Sequence, residues 1–124
     1  MEKSSELKQE HYFVLKDGLV VKDLEELQKT MKSMSKETYS HHVTREKNDF
    51  YNWIKFIHKE NKLSREILKA DNPKQMGLII ANHLTNQRMK KALIELKLIE
   101  KAKAIPNYTT RSKLISSIKK AFEI

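Results

Sequence analysis

The sequence predicts a mainly α fold, with a short N-terminal β-hairpin packed on a bundle of about five to six helices. Three observations predict it. Only two glycines and two prolines interrupt the 124 residues. Apolar residues recur at spacings of three and four along most of the chain, which places them on one face of successive helices. The hairpin signal, Asp17-Gly18 between the β-prone runs 11–15 and 19–21, stands near the start.

Taken in order, residues 1–10 read as a polar leader and 11–124 as one domain. An isolated hairpin is marginal in water, so the ribbon must lie against helices. Asp23 is placed to cap a helix over 24–34 carrying Leu24, Leu27, Met31 and Met34 on one face. Ser35 starts a short helix to about Val43, and Thr44 or Asn48 starts one to about Lys59. In the latter, Phe50, Trp53, Ile54 and Ile57 share a face, so the single tryptophan reads as a core residue. A short helix over 63–70 ends at Asp71-Asn72-Pro73, with Asn72 as the next cap and Pro73 at the first helical position. From there one long helix runs to about Lys103, with a bend expected near Gly77 or a break near Thr85-Asn86. Its later part bears two apolar stripes, Met89-Leu93-Leu96 and Ile94-Leu98-Ala102, implying neighbours on two sides. After Pro106-Asn107, Thr109 or Thr110 starts a last helix with the arc Leu114, Ile115, Ile118, Ala121 and Phe122.

Composition restricts function. With no cysteine there is no disulfide framework, thiolate zinc site or cysteine nucleophile. The polar start and the lack of a long uncharged run predict a cytoplasmic protein with no membrane partner. Two distant glycines cannot write a phosphate-binding loop. His41, His42, His58 and His83 lack metal-site spacing, so neither a metal nor another cofactor is expected. A hydrolytic site could combine His42 and Asp49 with a hydroxyl, but no glycine-flanked serine marks the nucleophile, and the expectation is a protein that is not an enzyme. Asn48 and Asp49 have a simpler use, as helix-start residues satisfying orphan amides.

The formal charge is +9 and lies unevenly. Residues 1–62 hold 12 Lys+Arg against 11 Asp+Glu, whereas 63–124 hold 13 against 5. Clustered cations favour nucleic acid or another polyanion as partner. The candidate contacts are Arg88, Lys90, Lys91, Lys97, Lys101 and Lys103 on the long helix, and Arg111, Lys113, Lys119 and Lys120 on the last. A helix-turn-helix across 98–122 would present Lys113, Ser116, Ser117 and Lys120 outward, although its turn is long and holds proline. A protein partner or homo-oligomer using the two-striped helix is the alternative.

The stretch FVLKDGLVVKDLEELQKTMKSMSKETYSHHVTREKNDFYNWI also resembles a family of small, mostly archaeal domains of unknown function. That family's pattern has an aromatic strand, an Asp-Gly turn, a Leu-x-x-Leu helix, a Met, an aromatic, His-Val-Asn, and Asn-Asp-Phe-x-x-Trp-Ile. Here these fall at Phe13, Asp17-Gly18, Leu24 and Leu27, Met34, Tyr39, His42-Val43, and Asn48-Asp49-Phe50 with Trp53-Ile54. The likeness spans about residues 12–70, with Thr44 where the pattern has asparagine. It implies a scaffold over 11–70, with His42, Asn48, Asp49, Phe50 and Trp53 in structural roles, and a basic helical extension over 71–124. It implies no reaction.

Overall fold

The computed structural model describes residues 8–123. Most of the predicted polar leader therefore lies outside the described residues. The fold is mainly α, with a two-stranded antiparallel hairpin on a helical bundle. The strands are β1 (Phe13–Val14) and β2 (Val20–Val21), and the helices are α1 (Leu24–Met31), α2 (Lys36–His42), α3 (Asp49–Asn52), α4 (Asn61–Ile67), α5 (Pro73–Lys103) and α6 (Tyr108–Ala121). The chain forms two compact units, Met1–Leu84 and Thr85–Ile124. Among the described residues no helix is long and apolar enough to cross a membrane.

The first unit holds the core. Phe13 pairs with Val21 and Val14 with Val20, and Gly18 takes φ 93°, the left-handed conformation that the Asp-Gly turn requires. The strands are shorter than the β-prone runs. His11 belongs to a 3₁₀ turn (Gln9–His11), and beyond Val14 the amides of Leu15 and Gly18 bond to Leu19 and Leu15 carbonyls within the turn. Leu24, Leu27 and Met31 of α1 are buried with Phe50, Trp53, Ile54, Leu63, Ile67, Met76 and Ile80, so the predicted apolar faces do meet.

Helix starts follow the predicted chemistry with two corrections. Asp23, Ser35, Asn48 and Asn72 each accept a hydrogen bond from the amide three residues on. Thr44, however, caps no helix. Its hydroxyl accepts from the amides of Glu46 and Lys47, closing a tight turn that the isolated bridge Val43↔Asn48 completes. The last helix is capped by Asn107, whose Oδ1 accepts from Thr110 N–H, rather than by Thr109 or Thr110.

Four helices differ from expectation, and the helix expected over 63–70 is α4 (Asn61–Ile67), which starts two residues earlier and ends in i to i+3 turns over Leu68, Lys69 and Ala70. α1 stops at Met31 rather than 34, because its end tightens into i to i+3 bonds and Ser35 must be extended to cap α2. The helix expected through Lys59 is α for one turn and then a π segment (Trp53–Ile57), closed by His58 N–H on the Trp53 carbonyl. α5 is continuous through Gly77 and Thr85-Asn86, because a helical glycine costs only about 1 kcal/mol.

Gly77 has a packing reason. A Cβ there would stand 3.0 Å from Met31 Cβ, an atom fixed directly to the α1 backbone. We predict that Gly77→Ala destabilises the protein by about 1 kcal/mol, because overpacking of about 1–3 kcal/mol exceeds the helix-propensity gain. Urea denaturation measures it, and a stabilised variant would contradict the close approach of α5 to α1.

Candidate functional site

The predicted signature residues come together between β1, α2 and α3. The bridge Val43↔Asn48 folds the chain back, so His42 at the end of α2 meets Asp49 at the start of α3. The His42 ring is buried and uses both nitrogens. Lys16 N–H reaches its Nε2 at 3.0 Å, and Asp49 Oδ2 lies 3.0 Å from its Nδ1. A backbone N–H can only donate, so Nε2 presents its lone pair and Nδ1–H donates to the carboxylate. The same Asp49 oxygen accepts from Lys47 Nζ at 2.9 Å.

Aromatic contacts and one further long-range hydrogen bond tie the hairpin to these residues. Phe13 stacks on Phe50 with centroids 5.0 Å apart and meets Trp53 edge-on at 5.5 Å and His42 at 5.1 Å. Trp53 Nε1–H donates to the His11 carbonyl at 2.8 Å. Asn48 spends its side chain on the Tyr51 amide as the α3 cap. Each of the five signature residues therefore has a structural partner. The chemical consequence concerns His42: with one nitrogen accepting a backbone amide and the other bound to Asp49, its imidazole has no lone pair free for a substrate proton.

Burial raises the Asp49 carboxyl, but the hydrogen bonds from His42 and Lys47 and the Lys47 charge outweigh it and hold the group below the ordinary carboxylate value of 3.8. His58, edge-on to Trp53 with centroids 4.3 Å apart, is pushed below the usual histidine range by burial, partly offset by Asp23 and Glu60. Among the described residues no group of three or more His, Asp or Glu could hold a metal ion.

The predicted basic contacts belong to the second unit, on residues 88–120. The unit Thr85–Ile124 carries ten Lys+Arg against three Asp+Glu. Lys90, Lys97, Lys101, Lys113, Lys119 and Lys120 are exposed and make no ion pair among the described residues. Lys103 is exposed beside Glu100 at 3.5 Å, Lys91 is half-buried, and Arg88 is exposed with a partner of its own. Arg111 is committed to the fold: its Nη1 donates to the Ile105 carbonyl at 3.0 Å, and its guanidinium lies 5.3 Å from the centre of the Tyr108 ring.

The same unit exposes more apolar surface than the sequence implied. Met89, Leu93 and Leu96 are 64%, 53% and 60% exposed, so the first predicted stripe meets solvent along its whole length. The second is graded, from half-open Ile94 to fully buried Ala102. No residue of α6 is buried, and its arc is covered in part at Ile115, Ile118 and Phe122. An open groove of about 360 Å³ runs along Ile94, Leu96, Lys97, Leu98, Glu100 and Lys101.

Comparison with protein families, curated proteins and solved structures finds no match. The molecule's own geometry must therefore carry the functional reading. One feature has no signature in the sequence, a cleft beside Tyr39 whose cations are scattered from position 32 to 74 and form no run.

A carboxyl held below its unfolded value contributes stability that is fully present above that value and is lost as pH falls through the folded one. We predict that Asp49→Asn lowers stability at neutral pH by about 1 kcal/mol, because a charged acceptor shared by two donors becomes neutral. The gap to wild type should close as pH falls below about 4. Urea midpoints across that range check it, and a gap independent of pH would contradict the charged role of Asp49.

Proposed function

We propose that the protein is a non-enzymatic binding module of the cytoplasm whose residues 85–124 contact nucleic acid, either RNA or DNA. The observation that carries this reading is the set of exposed lysines in that unit, six of them with no ion pair among the described residues. Cations without protein partners are free to displace counterions from a phosphate backbone, which is the sequence-independent source of nucleic-acid affinity. Lys113, Ser116, Ser117 and Lys120 are all exposed on α6, a disposition suited to a backbone-tracking face. Tyr108 is 71% exposed and offers a ring on which a single-stranded base can stack. Supporting the non-enzymatic part is the His42/Asp49 pair, the best catalytic candidate in the sequence, whose hydrogen-bonding capacity goes to the scaffold.

A second reading is a protein-interaction adaptor or homo-oligomer, and one observation favours it. The stripe Met89-Leu93-Leu96 exposes three large apolar side chains in line, a feature that phosphate contacts do not explain.

Fluorescence anisotropy with single-stranded and duplex oligonucleotides over a series of salt concentrations tests the first reading. We predict binding at about 50 mM salt, with a log-log slope that becomes shallower by about 0.7–0.9 for each phosphate-contacting lysine removed from the set Lys113, Lys119 and Lys120 by substitution with glutamine. Undetectable binding at that salt, or an unchanged slope in the triple variant, would contradict it. Sedimentation separates the second reading: association abolished by Leu93→Glu favours it, and a monomer at all concentrations removes the homo-oligomer.

A further inference from the structure

The first unit contains a cleft of about 810 Å³, within the range of roughly 300–1,000 Å³ typical of small-molecule sites. It is bounded by the end of α1, by α2 and the turn that follows it, and by the segment leading into α5. Met31, Met34, Val43, Ala70 and Pro73 supply apolar lining. Around them stand four cations, Lys32, Lys36, Arg45 and Lys74, against the single carboxylate of Asp71. None of the four cations forms an ion pair among the described residues. Each therefore remains available to a ligand.

Tyr39 distinguishes this cleft from an ordinary basic surface. The residue lines it, is only 7% exposed, and has a buried hydroxyl that finds no hydrogen-bond partner among the described residues. A buried hydroxyl left without a partner costs about 1–3 kcal/mol, so a native structure that keeps one calls for an explanation. Burial, and then the charge of Asp71, raise the Tyr39 hydroxyl above its usual value of 10, so at neutral pH it is a protonated donor. A donor needs an acceptor; the surrounding lysines cannot be one, and the Asp71 carboxylate, although its charge reaches the hydroxyl, makes no hydrogen bond with it. The lining supplies positive charge and an apolar floor in one place, with the unspent Tyr39 O–H buried behind its wall, where a ligand oxygen reaches it only as the side chain shifts.

We propose that this cleft binds a small organic phosphate, with the anionic group held by Arg45, Lys36 and Lys74 and by the Tyr39 hydroxyl, and the apolar body resting on Met31, Met34 and Val43. A dianionic phosphate matches the excess of three positive charges around the cleft better than a single carboxylate does, and it presents several acceptor oxygens to the guanidinium and the hydroxyl. The site is independent of residues 85–124 and of the nucleic-acid reading, so either can fail alone.

The experiment is an amide-resolved NMR titration of the full chain with phenyl phosphate as probe, at low salt. The expected result is saturable shifts at millimolar probe or below, centred on Lys36, Tyr39, Arg45 and Lys74. Arg45→Gln and Lys74→Gln, both at exposed positions, should each weaken binding by about fivefold or more. Tyr39→Phe should weaken it while leaving the folding midpoint equal or higher, since it deletes an unpartnered buried hydroxyl. Inorganic phosphate should bind more weakly than phenyl phosphate. Shifts that do not saturate, shifts centred on the lysines of residues 85–124, or unchanged affinity in the three variants would overturn the proposal. Equal affinity for inorganic phosphate would overturn the organic class, and much tighter binding of a capped phosphotyrosine peptide would overturn the small-molecule assignment.

Discussion

Both nitrogens of the His42 imidazole are satisfied by groups distant in sequence, and the first unit depends on that arrangement. Lys16 N–H comes from the turn of the hairpin, 26 residues away, and Asp49 from the first turn of α3, 7 residues away. A ring buried between them must find a donor on one side and an acceptor on the other, because an unsatisfied buried polar group costs about as much as the net stability contributed by one or more hydrogen bonds. The hairpin, the end of α2 and the start of α3 are thereby held in one mutual position. Lys47 donates to the same Asp49 oxygen from outside, and the two hydrogen bonds with the lysine charge favour the ionised acceptor.

That constraint makes sense of elements that would be weak alone. Strands of two residues cannot sustain a ribbon in water, and a helix of four residues falls far below the length at which isolated helices form. Phe13 couples them: the aromatic side chain of β1 lies against Phe50 of α3, Trp53 and His42 at once. Trp53 then returns a hydrogen bond to His11, ahead of β1. The wider the net of such contacts, the less any one element needs intrinsic stability. Thr44 fits the same scheme, since a hydroxyl suffices to close the turn between His42 and Asp49 where an asparagine would use its carboxamide.

Much of this was legible in the sequence, for identifiable reasons. Apolar spacing located α1 and the Phe50–Trp53–Ile54 face, because burial on one side of a helix is what that spacing encodes. Asp23, Ser35, Asn48 and Asn72 announced four helix starts through a local chemistry that needs only three residues of chain. The π segment (Trp53–Ile57) was not legible, since an i to i+5 bond changes phase by a single residue and leaves the apolar pattern nearly intact. Nor could spacing reveal that Met89, Leu93 and Leu96 would face solvent, because a stripe has the same period whether or not a neighbour covers it. The Tyr39 cleft escaped for a third reason: Lys32, Arg45 and Lys74 become neighbours only through tertiary folding. For the basic residues 88–120 the sequence showed the charge, and only the folded structure separates Arg111, engaged with Ile105 and Tyr108, from lysines with no ion pair among the described residues.

His42 acts as a neutral two-sided lock, and its ring nitrogens report on this directly. Long-range nitrogen–proton correlation spectra of the histidine side chains at neutral pH resolve which nitrogen carries the proton. The expected result is the Nδ1–H tautomer for His42, with Nε2 unprotonated and accepting from Lys16. A His42 protonated on Nε2, whether as the other tautomer or as the imidazolium, would leave Lys16 N–H facing a second donor and would contradict it.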